Sequence, residues 1–170
     1  MAKNIFSFLA QKIESLNRGC YYAASLAILL SAIILTYEVI IRYIFKVPTI
    51  WEIEFSVYLI IMATYLGAAY GLKDDAHISI NIIVRLLPDA YRRKLTIVTS
   101  LLSLAFCMIL AWKGWEMWWG ATSKGWRSES LWGPPLTIPY IFLPLGMTLL
   151  SLQYVILIVG LIREGESHGP

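Results

Sequence analysis

Four long apolar runs separated by short polar stretches set the pattern of this chain, at about 20–41, 55–72, 95–119 and 138–162. Read as helices rising about 1.5 Å per residue, each comes close to or exceeds a bilayer core of about 30 Å. The pattern predicts an all-α integral membrane protein, one four-helix membrane domain over 1–170 with a short tail at 163–170. The second run is the most sharply bounded. Trp51, Glu52 and Glu54 open it, Phe55 to Leu72 carry no charge, and Lys73, Asp74, Asp75 and His77 close it. Within it Ala63, Gly67 and Gly71 recur every fourth residue, leaving one helix face nearly bare of side chains. Such a face admits a close helix neighbour, either from this chain or from a partner subunit.

Between the runs the pattern changes period. Ile5, Phe6, Leu9, Ile13 and Leu16 share one helical face, with Ser7, Gln11, Glu14 and Arg18 opposite. This predicts an amphipathic helix over 4–18 lying on the membrane surface. Residues 76–87 are ambiguous: HISINI alternates like a strand, yet His77, Asn81 and Arg85 line up at helical spacing. A short interfacial helix is favoured, because a lone strand there leaves backbone groups unpaired. Pro139 suits the first turn of the last span, and Pro144 lies deep enough to kink it. The polar stretch from Gly120 to Thr137 is too short to fold alone.

Composition agrees with this reading: 58% of the 170 residues are hydrophobic and 15% charged, against about a quarter charged in soluble domains. The net charge of +3 resides in residues flanking spans, so topology explains it and nucleic acid is not an expected partner. Nine Lys and Arg fall on the side of the two termini and the middle loop, five on the other side (Arg42, Lys46, Lys113, Lys124 and Arg127). The positive-inside rule then places both termini in the cytoplasm. Cys20 and Cys107 lie at different depths, which argues against a disulfide.

Few residues here suggest chemistry. The middles of the spans, near Leu30, Ala63, Leu104 and Leu150, have no charged neighbour within five residues. An ion-coupled transporter acting alone needs ionisable groups at that depth. Glu38 and Arg42 form an i,i+4 pair at a span end, or face a partner. Glu52 and Glu54 suit the positive end of a helix dipole, or dock a partner beside Trp51. Six of the seven Trp lie between Trp112 and Trp132, as an aromatic belt or a ligand box. Gln153 reads as interhelical glue. With His77 and His168 as the only histidines, and no CxxC or HExxH, no cofactor, metal site or enzymatic activity is expected.

Several short motifs, in order, resemble a known family. Arg42-Tyr43 ends the first span. Trp51-Glu52 with Glu54 opens the second, Gly67 lies within it and His77-Ile78 follows. Leu87-Pro88 with Arg92 precedes the third span. Pro134, Ile138-Pro139 and Pro144-Leu145-Gly146 lead into the fourth. Over about 20–160 this resembles the small membrane (Q, or DctQ-type) subunit of tripartite ATP-independent periplasmic (TRAP) transporters. The Trp-rich loop from Gly120 to Gly133 departs from the family pattern.

The resemblance implies a scaffold subunit in the bacterial inner membrane, in an ion-gradient-driven, usually sodium-driven, importer of organic acids. Its implied partners are a large multi-span membrane subunit, which carries the substrate and ion sites, and a periplasmic substrate-binding protein. Docking to the large subunit would then use Arg42, Trp51, Glu52, Glu54, Ala63, Gly67 and Gly71. Arg127 and Glu129 would touch the binding protein. Two other readings are an autonomous homodimeric exporter coupled through Glu38, and the membrane anchor of a redox enzyme.

Overall fold

A computed structural model describes the backbone of residues 2–75 and 89–166, with side chains at 11–68, 70–72, 91 and 94–162. Helix α1 runs Ala2–Ile40 and passes into a π-helical turn, Ile41–Phe45. Helix α2 is Glu52–Asp75 and α3 is Asp89–Ser123. A short α4, Thr137–Tyr140, leads into α5, Phe142–Glu166. Among the described residues, four helical stretches are long and apolar enough to cross a membrane: Gln11–Phe45, Glu52–Leu72, Lys94–Ser123 and Thr137–Ile162. The described residues are thus those of an all-α membrane protein. The expected interfacial helix at 76–87, with His77, lies outside the described residues.

The amphipathic segment 4–18 is not a separate element. Helix α1 passes through Gly19 without a break. A single glycine between good helix formers costs about 1 kcal/mol and does not end a helix. At 39 residues, α1 is about 58 Å long, roughly twice a bilayer core. Its amphipathic end therefore continues the span.

Pro144 acts as its chemistry dictates. It has no N–H to offer the carbonyl of Tyr140, and its ring crowds that carbonyl. The helix is interrupted there: α4 ends at Tyr140, α5 begins at Phe142, and the next amide, of Leu145, bonds to the carbonyl of Ile141 at 3.2 Å. Pro139 and Pro144 are both fully buried.

The helices pack in the order α1, α2, α5, α3, so α2 and α5 are central and α1 and α3 form the edges. The contact seams are lined by small or polar residues at a spacing of seven. On α1 the buried positions are Asn17, Ala24, Ser31 and Glu38, joined by Ala27. On α3 they are Ser100, Cys107, Gly114 and Ala121. A seven-residue repeat keeps one stripe facing its neighbour as two helices wrap. Small side chains on that stripe bring the backbones close enough for van der Waals attraction to hold them in lipid.

Two contacts show how close. A Cβ on Gly146 of α5 would stand 2.6 Å from the carbonyl carbon of Tyr65 on α2. A Cβ on Gly114 of α3 would stand 3.2 Å from Cβ of Pro144. Between α1 and α5, Asn17 Nδ2 donates to Gln153 Oε1 at 3.0 Å, so Gln153 does join two helices. Ser31 Oγ donates to the carbonyl of Ser56, at 3.2 Å, joining α1 to α2. The large apolar side chains, among them Leu26, Leu29, Ile33, Leu102, Phe106 and Ile109, point outward.

Candidate subunit interface

The end at which α1 turns into α2 gathers most of the singled-out polar residues. Glu38 is buried, and its Oε1 accepts from Arg42 Nη1 at 3.1 Å and from Thr49 Oγ1 at 3.2 Å. The Arg42 side chain remains 58% exposed, so the pair is half in solvent and contributes modestly as a salt bridge. Its firmer effect is to tie the chain leaving α1 back onto it through Thr49.

Glu52 is also buried. Its Oε2 accepts the backbone amides of Ile50 and Trp51, each at 3.0 Å. These amides lie just ahead of the helix and have no helical partner, so the carboxylate acts as a cap folded backwards. Trp51 itself is exposed.

Glu54, half-buried one turn on, reaches elsewhere. It accepts from Tyr58 Oη at 2.7 Å and from Ser130 Oγ in the loop between α3 and α4. The rings of Trp51, Phe55 and Trp132 continue the same contact, with centroids 6.0 Å and 6.3 Å apart in edge-on geometry. That loop is a tight reversal. Ser128 N bonds to the carbonyl of Pro134 at 3.0 Å, and Leu136 N to that of Trp126 at 3.0 Å. Gly133 sits in its bend at φ +59, a backbone state that side chains disfavour. Arg127 and Glu129 both project from it into the open.

Glu54→Ala is expected to release this loop. One hydrogen bond to a half-exposed carboxylate is worth about 1 kcal/mol after allowing for solvent. Tryptic cleavage at Lys124 and Arg127 in detergent should then speed up about fivefold, because proteolysis follows the open population. An unchanged cleavage rate would show that the aromatic contacts alone hold the loop.

The small-residue ladder of α2 divides. Ala63 is buried against Ala24 and Ala27 of α1. Gly67 faces the same helix, since a Cβ there would stand 3.5 Å from Cβ of Ala24. Gly71 has no neighbour within 4 Å of such a Cβ among the described residues. The exposed edge of α2 is the stripe Ile53, Val57, Ile60 and Thr64, with Gly71 on the same side two turns further on.

The sequence reading missed the partners of these groups: Thr49 for Glu38, Ser130 for Glu54 and Asn17 for Gln153. It also missed the seams of α1 and α3. The recurrence of small or polar residues at 17, 24, 31 and 38, and at 100, 107, 114 and 121, is the signal that could have found them.

Comparison with known proteins places these features in a family context. Residues 31–164 match the family model for tripartite ATP-independent periplasmic transporters, DctQ component. The chain is 25% identical to the C4-dicarboxylate TRAP transporter small permease protein DctQ of Vibrio cholerae, over 91% of this chain and 75% of that protein. It is 30% identical to the ectoine TRAP transporter small permease protein TeaB of Halomonas elongata, over 77% of this chain and 67% of that protein. A second C4-dicarboxylate small permease protein, from Rhodobacter capsulatus, is 27% identical over 69% of this chain and 51% of its own length.

Proposed function

Because this chain belongs to the DctQ-component family of tripartite ATP-independent periplasmic transporters and is a small permease subunit, we propose that it is a non-catalytic stationary scaffold. On this reading it sits in the bacterial inner membrane with both termini cytoplasmic. It stabilises a large transport subunit that imports an organic acid on an ion gradient, with sodium the expected ion. A periplasmic binding protein delivers the substrate. The relatives are named for a C4-dicarboxylate and for ectoine, which supports a small-solute importer without singling out one substrate.

The observation that carries the scaffold reading is the way this chain uses its polar groups. The buried carboxylates Glu38 and Glu52 hold a turn, and Glu54 holds a loop. The seams between helices are closed by glycine, alanine and serine approaching backbone. A structure braced in this way suits a part that stays still while a neighbour moves. An exporter coupled through Glu38 fits less well, since Glu38 is engaged by Arg42 and Thr49 at a helix end. A redox anchor has no support from the family.

The docking surface is proposed to be the exposed stripe of α2, with Gly71 as its closest-approach point and Arg42 and Trp51 at its edge. Glu52, Glu54, Ala63 and Gly67 support that stripe from behind. Arg127 and Glu129 remain proposed contacts for the binding protein. Charge reversal at both should then raise the binding-protein concentration needed for half-maximal uptake, and unchanged kinetics would count against the contact.

Gly71→Leu is the direct test of docking. It meets no neighbour among the described residues, so the isolated chain should keep its stability within about 0.5 kcal/mol. Co-purification of the large subunit should fall. Gly67→Leu, which strikes Ala24, should weaken the isolated chain as well. Full complex yield and uptake in Gly71→Leu would remove this stripe from consideration.

A further inference from the structure

The turn between α1 and α2 has its polarity reversed relative to a loop in water. Its backbone donors are turned inward. The amides of Lys46 and Val47 both reach the carbonyl of Ile41, the latter at 3.4 Å. Pro48 has no amide. Those of Ile50 and Trp51 go to Glu52, and the hydroxyl of Thr49 goes to Glu38. The apolar side chains are turned outward: Tyr43, Ile44, Phe45, Val47, Ile50 and Trp51 are between 41% and 77% exposed.

Water would reward the opposite arrangement. Irregular backbone enters an apolar medium only when its polar groups are satisfied from within, and here Glu52 and the carbonyl of Ile41 take the amides of Lys46, Val47, Ile50 and Trp51. The surface also carries two cations. Arg42 protrudes beside Glu38, and Lys46, held at φ 54, makes no ion pair among the described residues. Exposed Tyr and Trp mixed with Lys and Arg match the chemistry of the phospholipid headgroup layer.

We propose that residues 43–50 are a membrane-interface anchor: the turn is immersed at the boundary of headgroups and acyl chains on its side of the bilayer, and Lys46 meets lipid phosphates, while Arg42 and Trp51 border the proposed docking stripe. The π-helical turn gives the anchor its shape. It ends α1 with Tyr43, Ile44 and Phe45 all largely exposed. The anchor would hold α1 and α2 at constant depth and tilt in the bilayer.

The test uses the full chain with whatever large subunit co-purifies, reconstituted in vesicles. A fluorophore is attached at Phe45→Cys, with Cys20 and Cys107 replaced by Ser. Glu129→Cys in the exposed loop is the control. Quenching by a stearate bearing a nitroxide near its headgroup should be roughly twofold or more stronger at 45 than at 129, and iodide in the aqueous phase should show the reverse order. Strong iodide quenching at 45 would place the turn in water and overturn the anchor. Weak quenching by both agents would place it under a protein partner, which also overturns it. Lys46→Gln should lower nitroxide quenching at 45 in vesicles containing phosphatidylglycerol and not in neutral ones. An equal effect in both would overturn the phosphate contact.

Discussion

Gly146→Ala is expected to destabilise the purified chain more than alanine at any other glycine in its helices. A Cβ at this position falls 2.6 Å from the carbonyl carbon and 2.7 Å from Cβ of Tyr65, with the carbonyl oxygen closer still. Those atoms belong to the backbone of α2 or are fixed directly to it, so no side-chain rotation relieves the clash. The helices themselves must separate. Overpacking of this kind costs about 1–3 kcal/mol, and the upper end applies when the neighbour is backbone. The site also joins the α1–α2 pair to the α3–α5 pair, so separation there loosens the whole slab.

Two other glycines calibrate the experiment. Gly114→Ala should do less, because the nearest atom is the far end of the Leu143 side chain, which can move, although Pro144 stays within 3.3 Å. Gly160→Ala meets nothing within 4 Å among the described residues and should stay within about 0.5 kcal/mol of the parent. Thermal unfolding of the three variants in one detergent gives the ranking. If Gly146→Ala melts with Gly160→Ala, the close approach of α2 and α5 is wrong.

This ranking is invisible in the sequence, and the reason is physical. The four spans are legible because hydrocarbon demands long apolar runs, and nothing else in the chain competes with that signal. The break before α5 is legible because proline acts locally, through its missing N–H and its ring. Which helix meets which is a tertiary question. Ala63 and Gly67 pack on α1 while Gly71, on the same helix, meets no neighbour among the described residues. All three look alike in a spacing count. A small residue serves equally well against lipid, against its own chain or against another subunit. The seven-residue recurrence on α1 and α3 carried more information, since a repeat of that length implies a continuous seam.

The continuity of 4–18 with the first span is illegible for a related reason. Amphipathic periodicity describes a helix with two faces, but it does not say whether that helix is separate from the one that follows. The singled-out carboxylates were legible as important and illegible in role. A carboxylate at a helix start is consistent with the dipole, with a partner and with a cap, and only the path of the backbone decides among them.

Glu52 shows this best. Glu52→Ala is expected to be the most damaging change at a charged residue in the turn. It leaves the amides of Ile50 and Trp51 without an acceptor in a place where the surrounding side chains are apolar. A hydrogen bond to a charged group contributes about 1.5–3 kcal/mol, and the two share one oxygen, so a loss of about 3 kcal/mol is the working figure. Glu52→Gln keeps an acceptor of the same reach without the charge and should recover about half. Removing the charge elsewhere in the turn should matter less: Arg42→Gln gives up a half-exposed pair worth at most about 1 kcal/mol.

Hydrogen exchange at residues 50 and 51 reads the effect where it arises. Both amides should lose protection in Glu52→Ala, and Glu52→Gln should be intermediate. Thermal unfolding should follow the same order. If the Ala and Gln variants are equal, the carboxylate acts through its bulk and not as an acceptor. If neither differs from the parent, the turn is held by Glu38 and Thr49 alone. The distinction bears on the scaffold as well as the turn. A carboxylate that must stay buried to close its own backbone cannot also reach out to another subunit, which agrees with the proposal that docking uses the exposed edge of α2 and not Glu52.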